Sequence, residues 1–160
     1  MNWSNYVINK TTTLAISEAV LEKLYQYKQT GNKYEAGGIL LGRVTSDYTK
    51  YEIIEISEPC NKDKRSRFSF VRNKNKAQKI VNRAFKESSG IIQYMGEWHT
   101  HPEKYPTPSS IDIKLLNDCS KQRNIPKIIF MLILGYEGDL YVGCKETGHK
   151  LKNITTKKEC

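Results

Sequence analysis

Apolar positions along the chain fall into short runs with two different periods. A strand-like stretch at 6–9 comes first. Ser17 can then cap a helix in which Ala19, Val20, Leu24 and Tyr25 recur at helical spacing, ending near Thr30-Gly31. Gly37 to Val44 is apolar and punctuated by glycine, the pattern of a buried strand that another backbone approaches closely. Tyr51 to Ser57 alternates and reads as its partner, and Arg67 to Val71 reads as a further short strand. Asn75 to Glu87 has the spacing of a helix that buries Ala77, Ile80, Val81, Ala84 and Phe85. Gly90 opens the next strand, Ile91 to His101. It runs into the loop Pro102 to Pro108, whose Pro102, Pro106 and Pro108 allow neither sheet nor helix to continue. A helix follows over Ser110 to Gln122. Pro126 to Gly135 is a nearly unbroken apolar strand, and Leu140 to Cys144 pairs with it across the turn Tyr136 to Asp139. No segment repeats another. Strands and helices mixed in this order predict one α/β sandwich, a mixed sheet with helices over its faces.

Composition narrows the function classes. A chain of 160 residues is enough for one domain, and 38% hydrophobic with 27% charged residues is the balance of a folded protein. No apolar run approaches the roughly 20 residues a membrane helix needs. The first residues lack the charged-then-apolar layout of a signal peptide, so the expected location is the cytoplasm. Cys60, Cys119, Cys144 and Cys160 form no CxxC pair and read as free thiols. The net charge of +9 is concentrated: Asn61 to Lys76 supplies +6 and Lys145 to Cys160 supplies +3, leaving the rest balanced. A nucleic-acid or acidic-partner surface is one reading of these segments. Two solvated lysine-rich stretches is the other, since only Phe68 and Phe70 offer aromatic platforms.

The candidate chemistry lies where the long strand meets the proline loop. His99 and His101, at i and i+2, leave the same face of a strand about 6.5 Å apart at the backbone, so both imidazoles can converge on one ion. Ser109 or Ser110 caps the next helix, and Asp112 falls in its first turn, where its carboxylate can point back at the strand end. Two histidines and one carboxylate leave a tetrahedral ion one open position, the catalytic rather than the closed structural arrangement. Such a centre needs a group to move a proton. Glu35, Glu97 and Glu103 are the candidates, and spacing alone does not choose among them. His149 reads as a solvated surface residue.

Glu35 followed by Gly37-Gly38-Ile39-Leu40-Leu41-Gly42, then Gly96-Glu97-Trp98-His99-Thr100-His101-Pro102, then Pro108-Ser109-Ser110-Ile111-Asp112, resembles the JAMM (JAB/MPN+) zinc metalloprotease family, with its distant glutamate and H-x-H-x7-S-x2-D signature. The resemblance covers most of Glu35 to Leu140. It implies a single JAB/MPN+ domain over 1–145, a cytidine-deaminase-like sandwich, followed by a basic C-terminal tail over 146–160. It implies that His99, His101 and Asp112 hold one Zn²⁺, that Glu35 is the general acid/base, and that Ser109 helps stabilise the oxyanion. Trp98 and Tyr105 flank this site and are candidates for a substrate groove.

Family members mostly cut the peptide or isopeptide bond after the C-terminal glycine of ubiquitin or a ubiquitin-like protein. The wording Gly-Glu-Trp-His-Thr-His-Pro-Glu and the upstream Ser66 to Arg72 look most like stand-alone bacterial JAB peptidases of type II CBASS anti-phage operons. That subgroup implies deconjugation of the C-terminal tail of a cGAS-like nucleotidyltransferase from its targets, in a pathway with an E1/E2-type conjugating enzyme. A bacterial ubiquitin-like modifier is the second substrate, and a non-catalytic zinc-containing binding module is the alternative of another class. DNA-repair-associated JAB relatives read His-Asn-His-Pro-Ser-Gly where this chain has His-Thr-His-Pro-Glu, which argues against nucleic acid.

Overall fold

A computed structural model describes residues 2–155. Strands β1 (Trp3–Val7) and β2 (Thr13–Ser17) lead into helix α1 (Glu18–Tyr25), and then come β3 (Gly37–Val44) and β4 (Lys50–Ile56). A hairpin of β5 (Lys64–Ser66) and β6 (Ser69–Val71) precedes helix α2 (Lys74–Glu87) and strand β7 (Gln93–Thr100). Helix α3 (Ser110–Cys119), β8 (Ile128–Leu134), β9 (Leu140–Glu146) and β10 (Lys152–Asn153) complete the order. Eight strands form one mixed sheet in the order β1-β2-β4-β3-β7-β8-β9-β10, parallel at β2/β4 and β7/β8, and β5-β6 stands apart as a ribbon.

Strand parity divides the apolar residues between two faces. On β8, Ile128, Phe130, Leu132 and Leu134 join Leu14, Ile16 and the buried Val20, Leu21 and Leu24 of α1 in the main core. Ile129, Met131 and Ile133 face Leu116 of α3 on the other side, and α2 covers Ile39 and Leu41 there. The predicted α/β sandwich with helices on its faces is what the chain forms.

Several boundaries differ from the sequence expectation, each for a tertiary reason. The strand expected at 6–9 is centred earlier, and β2 was not anticipated, because Thr13–Ser17 gains its partners from β1 and from the distant β4. Ser17 does cap α1, accepting from the Val20 amide at 3.3 Å, but the helix ends at Tyr25 rather than near Gly31. The strand expected at 67–71 is a hairpin that turns at Arg67-Phe68. Phe85, expected in the core, is half exposed, because α2 presents Ala77, Ile80, Val81 and Ala84 to the sheet instead. Beyond 145 the chain stays on the sheet: Lys152 pairs with Cys144, and Ile154 is buried. The last residues of the expected basic tail, 156–160, lie outside the described residues.

Strand β7 carries one irregularity that matters downstream. Its register with β3 shifts by one position near Gly96, whose φ of 133° lies in the region that favours glycine. A Cβ there would overlap the Phe130 carbonyl oxygen. The bulge lets Met95 and Trp98 both enter the main core while Tyr94, Glu97 and His99 share the opposite face.

Candidate metal centre

His99, His101 and Asp112 are buried, and each offers a ligand atom within 4.8 Å of the other two. His99 Nδ1 lies 3.0 Å from Asp112 Oδ1, and His101 Nε2 lies 3.1 Å from Asp112 Oδ2. The carboxylate arrives where the helix start puts it. Ser109 Oγ accepts from the Asp112 amide at 3.1 Å, and Asp112 Oδ2 accepts from the Ser109 amide at 2.9 Å, a reciprocal capping box. Burial raises the Asp112 pKa, but hydrogen bonds with His101 and His99 outweigh it and hold the carboxyl well below its usual range. Burial likewise lowers the His101 pKa, and the bond with Asp112 and the nearby charges of Glu35 and Glu103 reverse the sign, leaving it raised. Two imidazoles and one carboxylate, desolvated and convergent, are a donor set that suits a divalent ion.

Glu35 reaches this cluster through sheet register. Gly37 pairs with His99 on the antiparallel β3/β7 ladder, and the Thr100 amide donates to the Ala36 carbonyl at 2.9 Å. Continuing the ladder by one residue sets Glu35 opposite His101. The side chain is 6% exposed, and burial pushes its pKa up from 4.5 to about 7, against the attraction of His101 and His99.

The other two glutamates are engaged elsewhere. Glu97 is on the His99 face, as parity predicted, but it is fully buried. Its Oε1 accepts from Arg72 Nε at 2.6 Å and its Oε2 from Tyr94 Oη at 2.6 Å. Glu103 lies 3.1 Å from His101 Nδ1, at a half-exposed position on the rim. A carboxylate there favours the tautomer with the proton on Nδ1, leaving the Nε2 lone pair to face a metal ion at the centre.

Of the two aromatic candidates, Trp98 is corrected. It points away from the cluster into the main core, fully buried, with Nε1 donating to the Ser57 carbonyl at 2.9 Å and its ring 5.4 Å from that of Tyr27. Tyr105 is 69% exposed in the proline loop, with Lys104 over its ring.

The sequence reading named Phe70 only as an aromatic of the basic segment and did not place it at this centre. Its ring centroid stands 5.4 Å from that of His99, and a Cβ at Gly37 would lie 2.6 Å from Phe70 and 2.7 Å from His99, so the glycine is what lets the two rings meet. Phe70 is the only buried member of the hairpin, and with Phe68 and Val71 on either side of it in the sequence nothing local singles it out. The basic segment from Asn61 is thus an ordered hairpin clamped at the site: Arg65 Nε donates to the Glu35 carbonyl at 2.7 Å, and the Glu35 amide to the Ser66 carbonyl at 2.8 Å. Cys60, Cys119 and Cys144 are free thiols, and none of the described helices is long and apolar enough to cross a membrane.

Comparison with known proteins supplies the family. Residues 17–140 match the model of prokaryotic homologs of the JAB domain. A protein of Escherichia coli (strain TW11681) named CD-NTase/cGAS isopeptidase is 34% identical, over 98% of this chain and 97% of the relative. One of the same name from Vibrio cholerae serotype O1 is 36% identical over 79% of this chain and 78% of the relative. A protein of Desulfitobacterium hafniense, solved in solution, shares the fold with a TM-score of 0.61 at 16% identity, covering 86% of this chain and 87% of that one. With the match running from the cap of α1 to the start of β9, across every residue of the buried cluster, this chain belongs to the prokaryotic JAB-domain family.

Proposed function

We propose that this protein is a zinc-dependent isopeptidase that releases a conjugated CD-NTase, a cGAS-like nucleotidyltransferase, from its targets by cutting after the nucleotidyltransferase's C-terminal tail. The observation that carries the reading is the opposition of one uncompensated buried carboxylate, Glu35, to the buried His99–His101–Asp112 cluster. The names of the E. coli and V. cholerae relatives support the substrate class. His99 and His101 would hold the ion through imidazole nitrogens and Asp112 through a carboxylate oxygen. When bound, zinc supplies Lewis acidity toward the scissile carbonyl.

The chain's own groups do the rest. A general base works best with a pKa near the working pH, and Glu35 at about 7 is poised to take a proton from the attacking water and pass it to the leaving amine. Ser109 Oγ accepts from the Asp112 amide, so its own proton is available to donate to the charge developing on the carbonyl oxygen, and the residue is exposed to an arriving chain. Tyr105, on the rim, is the candidate to line the substrate groove. An E1/E2-type conjugating enzyme would form the bond that this protein cuts, in the same cytoplasmic anti-phage pathway.

The test pairs zinc content with cleavage of a CD-NTase fused through its C-terminus to a reporter protein. Wild type is expected to bind about one zinc per chain, as a single cluster of three ligands requires, and to cut at the junction. Glu35→Ala should keep the metal and lose the cleavage, whereas Asp112→Ala should lose both. Cleavage that persists in Glu35→Ala with chelator present overturns the mechanism. A folded wild type that binds zinc and cuts neither this fusion nor one built on a bacterial ubiquitin-like protein returns the chain to the role of a binding module.

A further inference from the structure

We propose that Gln29 and Thr100 are positioning residues that hold Glu35 over the His99–His101–Asp112 cluster, an inference that rests on the isopeptidase reading above. Thr100 lies between the two histidines on β7 and is fully buried, its side chain on the opposite face from theirs. Its hydroxyl oxygen accepts from the Ala36 amide at 2.9 Å, and its one proton goes to Gln29 Oε1 at 2.9 Å. Gln29, 3% exposed in the loop after α1, donates both amide protons in turn, to the Lys33 carbonyl at 3.0 Å and the Arg67 carbonyl at 2.9 Å.

Each partner is used in the one direction its chemistry permits. A hydroxyl has a single proton, so once it is spent on Gln29, only a lone pair remains for Ala36. The residue at 29 must offer one acceptor and two donors on a single planar end; glutamate has no donors, and methionine of similar length has no strong bonding group. The result is a continuous chain of bonds from the hairpin at Arg67, through Gln29 and Thr100, to Ala36.

Ala36 is held twice by the same threonine, its amide by Oγ1 and its carbonyl by the backbone amide. Glu35 is therefore fixed on its C-terminal side by the strand that carries His99 and His101. The hairpin holds the residue at both ends as well, its amide through the Ser66 carbonyl and its carbonyl through Arg65, and Gln29 itself ties that hairpin down through Arg67. Acid/base and ligands are thus referred to one strand segment, and a displacement of about 1 Å between such groups can cost roughly 100-fold in rate.

Thr100→Val, Thr100→Ser and Gln29→Met, each loaded with zinc, separate this role from simple packing. Valine keeps the shape and β-branching of threonine and removes only the hydroxyl. The Ala36 amide should exchange with solvent about tenfold faster in Thr100→Val, the equivalent of one lost hydrogen bond. With the CD-NTase–reporter fusion, kcat should fall roughly 10- to 100-fold while KM and zinc content stay within about twofold. Thr100→Ser should restore both readouts. Gln29→Met leaves the hydroxyl in place but frees its anchor, so it should move kcat in the same direction, and it serves if Thr100→Val folds poorly. Exchange and kcat at wild-type values in Thr100→Val and Gln29→Met, or a loss confined to KM or zinc, overturns the proposal. If wild type fails to cut the fusion, the isopeptidase reading is what falls; the Ala36 exchange rates still decide whether Gln29 and Thr100 hold the Glu35 segment.

Discussion

Glu35 and Glu97 occupy two regions of the same face, one at the open end of the β3/β7 ladder and one deeper along it, opposite Ile39, in the part of the face that α2 and α3 cover. Both carboxylates are removed from solvent. Around Glu97 the surroundings answer the charge: Arg72 and the Tyr94 hydroxyl each donate at 2.6 Å, and burial lifts the Tyr94 pKa well above its ordinary value. Around Glu35, burial dominates and the pKa climbs to about 7. A buried carboxylate with its own cation is structural. One left without a dedicated cation is held near the point where it gains and loses a proton, the condition of an acid/base group. Proximity to the histidines does not separate the two, but electrostatic compensation does.

The sharpest break of that comparison is Glu35→Gln. Cleavage by the zinc-loaded protein should fall by roughly 10²- to 10⁴-fold with the metal retained, the usual worth of a general acid/base. Steady-state kinetics with zinc analysis on the same sample would read it, and a loss under tenfold would place the base elsewhere.

Glu97→Leu should act on stability instead. Arg72 would be left in a largely buried position without its partner, at about 3 kcal/mol or more. Urea unfolding gives the difference directly, and the double variant Glu97→Leu with Arg72→Met should recover much of it.

Glu35→Gln should have the opposite sign in metal-free protein. The folded-state pKa of Glu35 stands above its ordinary 4.5, so its contribution to stability is complete below that value and declines as pH rises toward about 7. Gln escapes the decline. The variant should therefore be more stable than wild type by about 2 kcal/mol at pH 8 and indistinguishable near pH 4.5, measured by denaturant unfolding with chelator present. Wild type equal to the variant at pH 8 would mean that Glu35 is compensated after all.

The smallest effect is expected from Trp98→Phe, beside the ligands in sequence but across the sheet from them. Losing the Nε1 bond to Ser57 should lower stability by about 1 kcal/mol and leave kcat/KM within about twofold. A selective loss of KM would return Trp98 to the substrate groove.

What the sequence by itself determined was local. The i, i+2 histidines share a face because side chains alternate along any strand, and Asp112 points back at them because Ser109 caps a helix three residues before it. Both facts depend only on neighbours in the chain, as do the hydrophobic periods behind α2, α3, β8 and β9. Parity placed Glu97 on the right face for the same reason, yet it could not say that Arg72, 25 residues earlier, would neutralise it. The same parity sets Trp98 across the sheet from the histidines, since the bulge at Gly96 precedes all of them; what the sequence could not show is that the bulge brings Met95 onto the face of Trp98 and leaves Tyr94 on that of Glu97.

Glu35 was named by family likeness, but its position is a matter of register between strands more than fifty residues apart in sequence. The same is true of β2, which takes its ladder partner from β4, and of Gln29, whose three hydrogen bonds join three separate segments. Periodicity and capping are properties of one segment and can be read from it. Which carboxylate is compensated, and which is left to move a proton, is decided only when distant segments fold together and water is removed from between them.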